Sequence, residues 1–358
     1  MEIDQLKNFS QSQARFMELP DLAGARLGAL TLAVNDEFFA PKENLLKPQE
    51  PIFIEGKYTK RGKWMDGWET RRRRSPGHDW VIVRLGLRGL VAGVNINTAH
   101  FIGNYPESCS IEALDGPQQA RRAWLTSKQA LWTEILPKTP LKGGSDNLLE
   151  IPNTGPWTHL KLNIYPDGGV ARFRVYGEAI PSWEQLARLK KSIDLAAIEN
   201  GGKAVASSDM FFGSRNNLLM PGRAKNMGEG WETKRRRGPG YDWVVIKLGH
   251  AGIIKKIEVD TNHFKGNYPE SCSLEGACAL GAYGSPAGSR SPAEGALEHP
   301  SNVMNWRTIV ERTKLKAHAR HFFTNQIKGR ESFTCVRLNI YPDGGISRLR
   351  VYGTIDNP

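Results

Sequence analysis

Cysteine is scarce in this chain, with four among 358 residues. Cys109, Cys272, Cys278 and Cys335 form no C-x-x-C pair, which argues against a zinc-thiolate site. Reduced, buried thiols in a cytosolic protein are the expectation, with a disulfide between Cys109 and Cys272 as the alternative. No run of about twenty apolar residues occurs, so no helical membrane span is expected. The stretch MEIDQLKNFSQSQARF lacks the basic, apolar and small-residue zones of a signal peptide, and the expected location is the cytoplasm. A Gly-rich phosphate loop, a G-x-S-x-G elbow and an H-E-x-x-H pair are all missing. Nothing therefore points to a nucleotide enzyme, an α/β-hydrolase or a zinc protease. Helix-turn-helix, zinc-finger and RNA-recognition signatures are missing too.

What is present is an ordinary soluble composition, 39% hydrophobic and 24% charged. The length suggests two domains, each able to bury a core. The net charge is +12. Much of the excess lies in two runs, Arg71 to Arg74 and Lys234 to Arg237. Three readings stand: a solvated basic edge, attraction of a small anionic substrate, or binding of nucleic acid.

The chain repeats itself. HFIGNYPESCSIE begins at His100 and HFKGNYPESCSLE at His263. GWETRRRRSPGHDWVIVRLG, from Gly67, matches GWETKRRRGPGYDWVVIKLG, from Gly230, in the same register. LNIYPDGGVARFRVYG, from Leu162, matches LNIYPDGGISRLRVYG, from Leu338. NDEFFAPKENLL, from Asn35, resembles SDMFFGSRNNLL, from Ser208. The organisation reads as a first repeat over 1–180, a linking helix over 181–200 and a second repeat over 201–358. A Gly/Ala-rich insertion at 276–300 reads as a surface loop. Ser182 and Gln185 suggest a capping box for the linking helix, and Leu186, Leu189, Ile193 and Ala197 suggest its apolar stripe.

Each repeat reads as β. Asp79-Trp-Val-Ile-Val-Arg-Leu-Gly is short, β-branched and bounded by Gly. Lys256-Ile-Glu-Val-Asp-Thr alternates like a half-buried strand. The turn Pro-Asp-Gly-Gly, between two strand-like runs, predicts a hairpin. Short strands with turn signals between them predict an all-β fold, two jelly-roll-like sandwiches in tandem.

The repeated loop gathers His100, Asn104, Tyr105 and Glu107, matched by His263, Asn267, Tyr268 and Glu270. Histidine moves protons near neutral pH, and glutamate serves as acid, base or ligand. Such a loop is a place for chemistry, or one locked by side chains bonding its backbone. Trp68 and Trp231 read as core or rim, beside Glu69 and Glu232. Arg72 and Arg73, matched by Arg235 and Arg236, are candidates to clamp a carboxylate. Asp79 and Asp242 read as turn caps, with a proton-transfer or metal role as the alternative.

These strings, twice in one chain and in this order, closely resemble the allantoicase family. The resemblance spans about Asn35 to Gly353. It implies hydrolysis of allantoate to ureidoglycolate and urea, in purine breakdown through allantoin. It also implies a pair of galactose-binding-like jelly rolls and homo-oligomers, often hexamers. A divalent metal such as manganese is linked to some members, with no other cofactor, and the metal ligands here are unknown. Allantoate is the expected small-molecule partner; no nucleic acid or membrane is expected. From the substrate, His100/His263 with Glu107/Glu270 would transfer protons. Arg72/Arg235 and Arg73/Arg236 would bind the carboxylate. Asn104/Asn267 and Tyr105/Tyr268 would bond the ureido groups. Between the repeats Ala99 becomes Asn262, Ile102 becomes Lys265 and His78 becomes Tyr241. The second loop is thereby the more polar, and an anionic ureido substrate is expected to prefer it.

Overall fold

A computed structural model describes residues 15–188, 191–278 and 305–356. Most of the predicted insertion, 279–300, lies outside the described residues. The chain divides into two compact units, Met1–Ile180 and Pro181–Pro358.

The first unit holds strands β1 (Leu30–Val34), β2 (Tyr58–Thr59), β3 (Gly62–Lys63), β4 (Trp68–Glu69) and β5 (Asp79–Asn97). They are followed by β6 (Ser108–Leu114), β7 (Thr133–Pro140), β8 (Asp146–Tyr165), β9 (Gly169–Val170) and β10 (Arg172–Ala179). Pairing is antiparallel throughout. The start of β5 lies between β1 and the end of β8, and β6 and β7 follow on the far side of β8. The second half of β5 lies between β10 and the first half of β8. β5 and β8 thus run from one layer into the other. Register slips in β5 near Gly89 and Gly93 permit that bend. Val81, Val83 and Leu85 from its first half share one core with Val94 and Ile96 from its second. The alternation changes phase at the slips, so both halves turn apolar side chains inward. A β-sandwich results.

The second unit repeats the plan with β11 (Ile193–Asp194), β12 (Lys203–Ser207), β13 (Trp231–Glu232), β14 (Asp242–Asp260) and β15 (Ser271–Ala277). It continues with β16 (Arg307–Lys314), β17 (Arg320–Phe323), β18 (Ser332–Tyr341), β19 (Gly345–Ile346) and β20 (Arg348–Ile355). β14 corresponds to β5, lying between β12 and β18 at its start and between β20 and β17 at its end.

Three expectations need correction. The Pro-Asp-Gly-Gly turn does not close a hairpin. β8 and β10 lie on opposite sides of β5, and β18 and β20 on opposite sides of β14. The turn instead carries the chain over the sandwich end, pairing β9 with β4 and β19 with β13 on the way. Turn chemistry specifies a reversal but not which strand becomes the neighbour. Of the predicted linking helix the structure describes a helix over Trp183–Arg188, and Leu189 lies outside the described residues. Ile193–Asp194 instead pairs with β20, and Asp194 accepts the amides of Val351 and Ala196, pulling the segment to the sheet edge. Asp21 does the same for Val175 and Ala23. Finally, β14 is not half-buried at its end. Glu258 and Asp260 are buried together with Ile257 and Val259. Arg320 neutralises Glu258 through a two-pronged contact, which makes a charged position tolerable inside.

Candidate active site

The segments that recur in sequence meet at one end of each sandwich. Thr70 donates its amide to Gly168 at 3.1 Å, Gly169 to Asn104 at 2.8 Å and Phe39 to Glu69 at 3.2 Å. The indole of Trp68, fully buried, donates to the Asp36 carbonyl at 2.8 Å. The second repeat matches each contact: Thr233 to Gly344, Gly345 to Asn267, Phe212 to Glu232, and Trp231 to Asp209. Phe101 and Phe264 are fully buried wedges beneath these loops. Their rings lie so close to Gly169 and Gly345 that an added Cβ would stand 2.0 and 1.9 Å from ring carbon. Only glycine fits there. Gly169→Ala or Gly345→Ala should each cost about 1–3 kcal/mol by overpacking. A lower urea midpoint for each variant is the expected measurement.

His100 and His263 carry φ values of 70° and 71°, in the left-handed region that side chains avoid. Each ring is tied to main chain. Nε2 of His100 lies 3.1 Å from the Pro51 carbonyl, and Nε2 of His263 lies 2.9 Å from that of Ala224. A carbonyl only accepts, so in the neutral ring Nε2 carries the hydrogen and Nδ1 keeps its lone pair. Neither histidine is hydrogen-bonded to the glutamate of its own loop. Pro106 and Pro269 lead at once into β6 and β15, and the intervening glutamates are exposed. Glu270 accepts from Ser271 at 2.7 Å and from Arg312 at 3.1 Å. Those bonds, the Ser271 one first, hold its carboxyl below the ordinary value.

Asn104 turns instead to Glu69, donating to Oε1 at 2.7 Å, and Asn267 does the same to Glu232 at 2.5 Å. Glu69 is half-buried. Burial pushes its carboxyl above the ordinary value, against the pull of the Asn104 bond. Tyr105 is half-buried against Phe101 and the core, and Tyr268 is half-buried at the matching place.

The basic runs divide by alternation. Arg73 donates to Asp79 at 2.7 Å while its own amide donates to Asp167 at 2.8 Å. Arg236 pairs with Asp242 likewise, its amide on Asp343. Both aspartates are about 1% exposed. These arginines were candidates for a carboxylate clamp, yet each is committed to a buried partner. Arg72 and Arg235 are exposed. Arg71 pairs with Asp36 at 2.6 Å, and Lys234 lies over the Phe211 ring.

The polar character expected of the second loop is also altered. Asn262 is buried and donates to the Ala224 carbonyl at 3.1 Å, so its amide serves the loop. Among the described residues no cluster of three or more His, Cys, Asp or Glu side chains fits a metal ion. A cavity lined by Asp115, Glu134, Ile135 and Trp157 includes none of the site candidates. Sequence reasoning did not single out a chain on the outer face of the sheet. Tyr165 meets Ser110 at 2.9 Å, Asn163 bonds Ser110 and Glu112, and Lys161 pairs with Glu112. Tyr341, Ser273, Asn339, Glu275 and Arg337 repeat it. The signal was available: polar residues at every second position of two matched strands, identical in both repeats except that Lys161 is matched by Arg337.

Comparison with known proteins bears on this geometry. The family model described as the allantoicase repeat matches residues 20–180 and 193–356. The probable allantoicase 1 of Burkholderia mallei is 46% identical, covering 94% of each chain. The probable allantoicase of Pseudomonas fluorescens is 47% identical over 95% of this chain and 97% of its own. The crystal structure of allantoicase from Saccharomyces cerevisiae superposes with a TM-score of 0.75 at 35% identity. It covers 96% of this chain and 98% of that one.

Proposed function

We propose, from the premise that this chain belongs to the allantoicase family and hydrolyses allantoate to ureidoglycolate and urea in purine degradation, that the reaction occurs where the signature loops of each repeat meet. The doubling of the Asn104–Glu69 contact as Asn267–Glu232 carries this placement. Both repeats keep the same polar pair at the junction of three loops.

Allantoate bears a carboxylate and two ureido groups on one carbon. One C–N bond breaks, urea departs, and a water oxygen takes its place. The reaction needs a cation for the carboxylate, polar partners for the ureido groups, and proton transfer at water and leaving nitrogen. Arg72 and Arg235, exposed beside an anchored arginine, hold the carboxylate. Arg73 and Arg236 position that run through Asp79 and Asp242. Asn104 and Asn267 keep an amide oxygen for a ureido N–H, and Tyr105 and Tyr268 offer their hydroxyls. His100 and His263 take the proton from water through Nδ1. Glu107 and Glu270 lie exposed at the rim, and the Arg312 pairing of Glu270 suits a charge role better than proton transfer.

A divalent metal such as manganese has no three-residue cluster to hold it among the described residues, and no step is assigned to one. A cytoplasmic location is supported by four free cysteines, three of them buried. Assembly into a homo-oligomer, up to a hexamer, is supported by Phe211 and Phe212, each 61% exposed.

Incubated with allantoate, the pure protein should release urea and ureidoglycolate in equal amounts. No release, with or without added manganese, would sink the reading. Replacing Arg72 and Arg235 together by methionine should raise KM about tenfold or more and change kcat little. A hydrogen bond to a charged group contributes about 1.5–3 kcal/mol. A fall in kcat at unchanged KM would place the carboxylate elsewhere.

A further inference from the structure

We propose that Glu69, and Glu232 in the second repeat, is the general acid that protonates the departing urea nitrogen, held for that task by Asn104 and Asn267. The assignment rests on allantoate being the substrate.

The first argument is position. Glu69 ends the two-residue strand β4, between buried Trp68 and Thr70. Its main chain is held on both sides, paired with Gly169 of β9 and bridged to Ala40. The side chain therefore leaves a backbone that three loops fix in place. Glu232 is held identically by Gly345 and Gly213.

The second argument is what surrounds the carboxyl. A run of four arginines begins two residues after Glu69, in a chain of net charge +12. Arg71 nevertheless turns to Asp36 and Arg73 to Asp79. After Glu232, Lys234 stacks on Phe211 and Arg236 turns to Asp242. Among the described residues no salt bridge reaches either glutamate. A carboxyl that only transfers charge would gain from such a neighbour. One that must carry a proton is better without it, because a nearby cation favours the ionised form. Half-burial acts in the same direction and raises the Glu69 carboxyl above its ordinary value.

The third argument is the hydrogen bond. Asn104 donates to Oε1, so Oε1 is an acceptor and, in the acid form, the proton is carried on Oε2. In the reaction the C–N bond breaks with its electron pair going to nitrogen. Oε2 delivers its proton there, and neutral urea leaves. Water adds to the carbon, its proton going to the histidine Nδ1, and that proton then restores the glutamic acid. Nothing else is consumed. The carboxylate formed in between is stabilised by the amide already in place.

The test is the double variant Glu69→Gln with Glu232→Gln, which keeps shape and acceptor but cannot donate a carboxyl proton. Turnover of allantoate should fall about a hundredfold or more, with KM nearly unchanged. The wild-type rate should decline at alkaline pH as the acid ionises, and this limb should vanish in the residual activity of the variant. Asn104→Leu with Asn267→Leu gives an independent readout. Removing the bond that favours the carboxylate should move the alkaline limb to higher pH, which a merely structural role would not do. Turnover of the glutamine variant within threefold of wild type overturns the assignment, as does an alkaline limb unmoved in both variants. A wild-type protein inert toward allantoate would strike the function itself, which separates the two failures.

Discussion

Replacing both loop histidines by glycine, His100→Gly with His263→Gly, should lower turnover about a hundredfold or more while stability stays level or rises. Loss of a general base accounts for the fall. Stability moves differently because both residues sit at positive φ. A side chain in that region costs on the order of 1–3 kcal/mol, which glycine relieves. Against this stand the hydrogen bonds to the Pro51 and Ala224 carbonyls, about 0.5–1.5 kcal/mol each, and the greater unfolded freedom of glycine, about 0.5–1 kcal/mol. The sum is near zero or slightly favourable. Alanine in the same places keeps the backbone strain, so the glycine variant should melt at the higher temperature while both are equally slow. Turnover close to wild type in the glycine variant would remove the histidines from the proton path.

Arg172→Met should destabilise the first repeat by about 3–5 kcal/mol, the range for breaking a buried ion pair. Arg172 is 2% exposed. Its guanidinium meets Asp66 at 2.6 Å and donates to the carbonyls of Gln49, Asp66 and Ala171, each at 2.8 Å. Methionine fills the volume but leaves those acceptors and a buried carboxylate behind. Lys47, also on Asp66 at 2.8 Å, limits the loss to the lower part of the range. The deficit depends on pH with a defined sign. Burial opposes ionisation of Asp66, but Lys47 and Arg172 outweigh it and hold the carboxyl below its ordinary value. A depressed carboxyl contributes stability above its unfolded pKa and loses it as pH falls through the folded one. Urea unfolding near neutral pH should therefore show a larger gap between variant and wild type than unfolding in acid. An equal gap at both would mean that the ion pair contributes little.

Much of this was legible before any coordinates. The duplication, the β class and the loops that matter all follow from repeated strings with turn residues between apolar runs. What escaped has physical causes. LNIYPDGG announces a reversal in letters that a hairpin and an end-crossing share, and only long-range pairing with β5 or β14 separates the two. The stripe Leu186, Ile193, Ala197 matched a helical period, yet Asp194 offered an edge to β20 that a local window cannot see. The histidine and glutamate of the repeated loop look paired because they are near in sequence. A proline lies between them and a strand starts just after the glutamate, while the amide of Asn104 closes on Glu69, 35 residues away. Within the arginine runs the letters are alike, and only the buried Asp79 and Asp242 distinguish a committed guanidinium from a free one.

Because β10 and β20 fill the far side of β5 and β14, each repeat is completed by its own last strand. Asp21, near the start of the first repeat, waits for the amide of Val175, and Asp194 waits for Val351. Such wide sequence separation makes closure slow. On the ribosome, the first repeat would remain an unclosed sheet until residue 179 has emerged, with one flank of β5 bare. The nascent chain is thus most exposed to edge-to-edge association late in the synthesis of each repeat, not early. Nascent chains arrested with residue 165 at the tunnel exit should be protease-sensitive, and chains arrested with residue 185 there should resist.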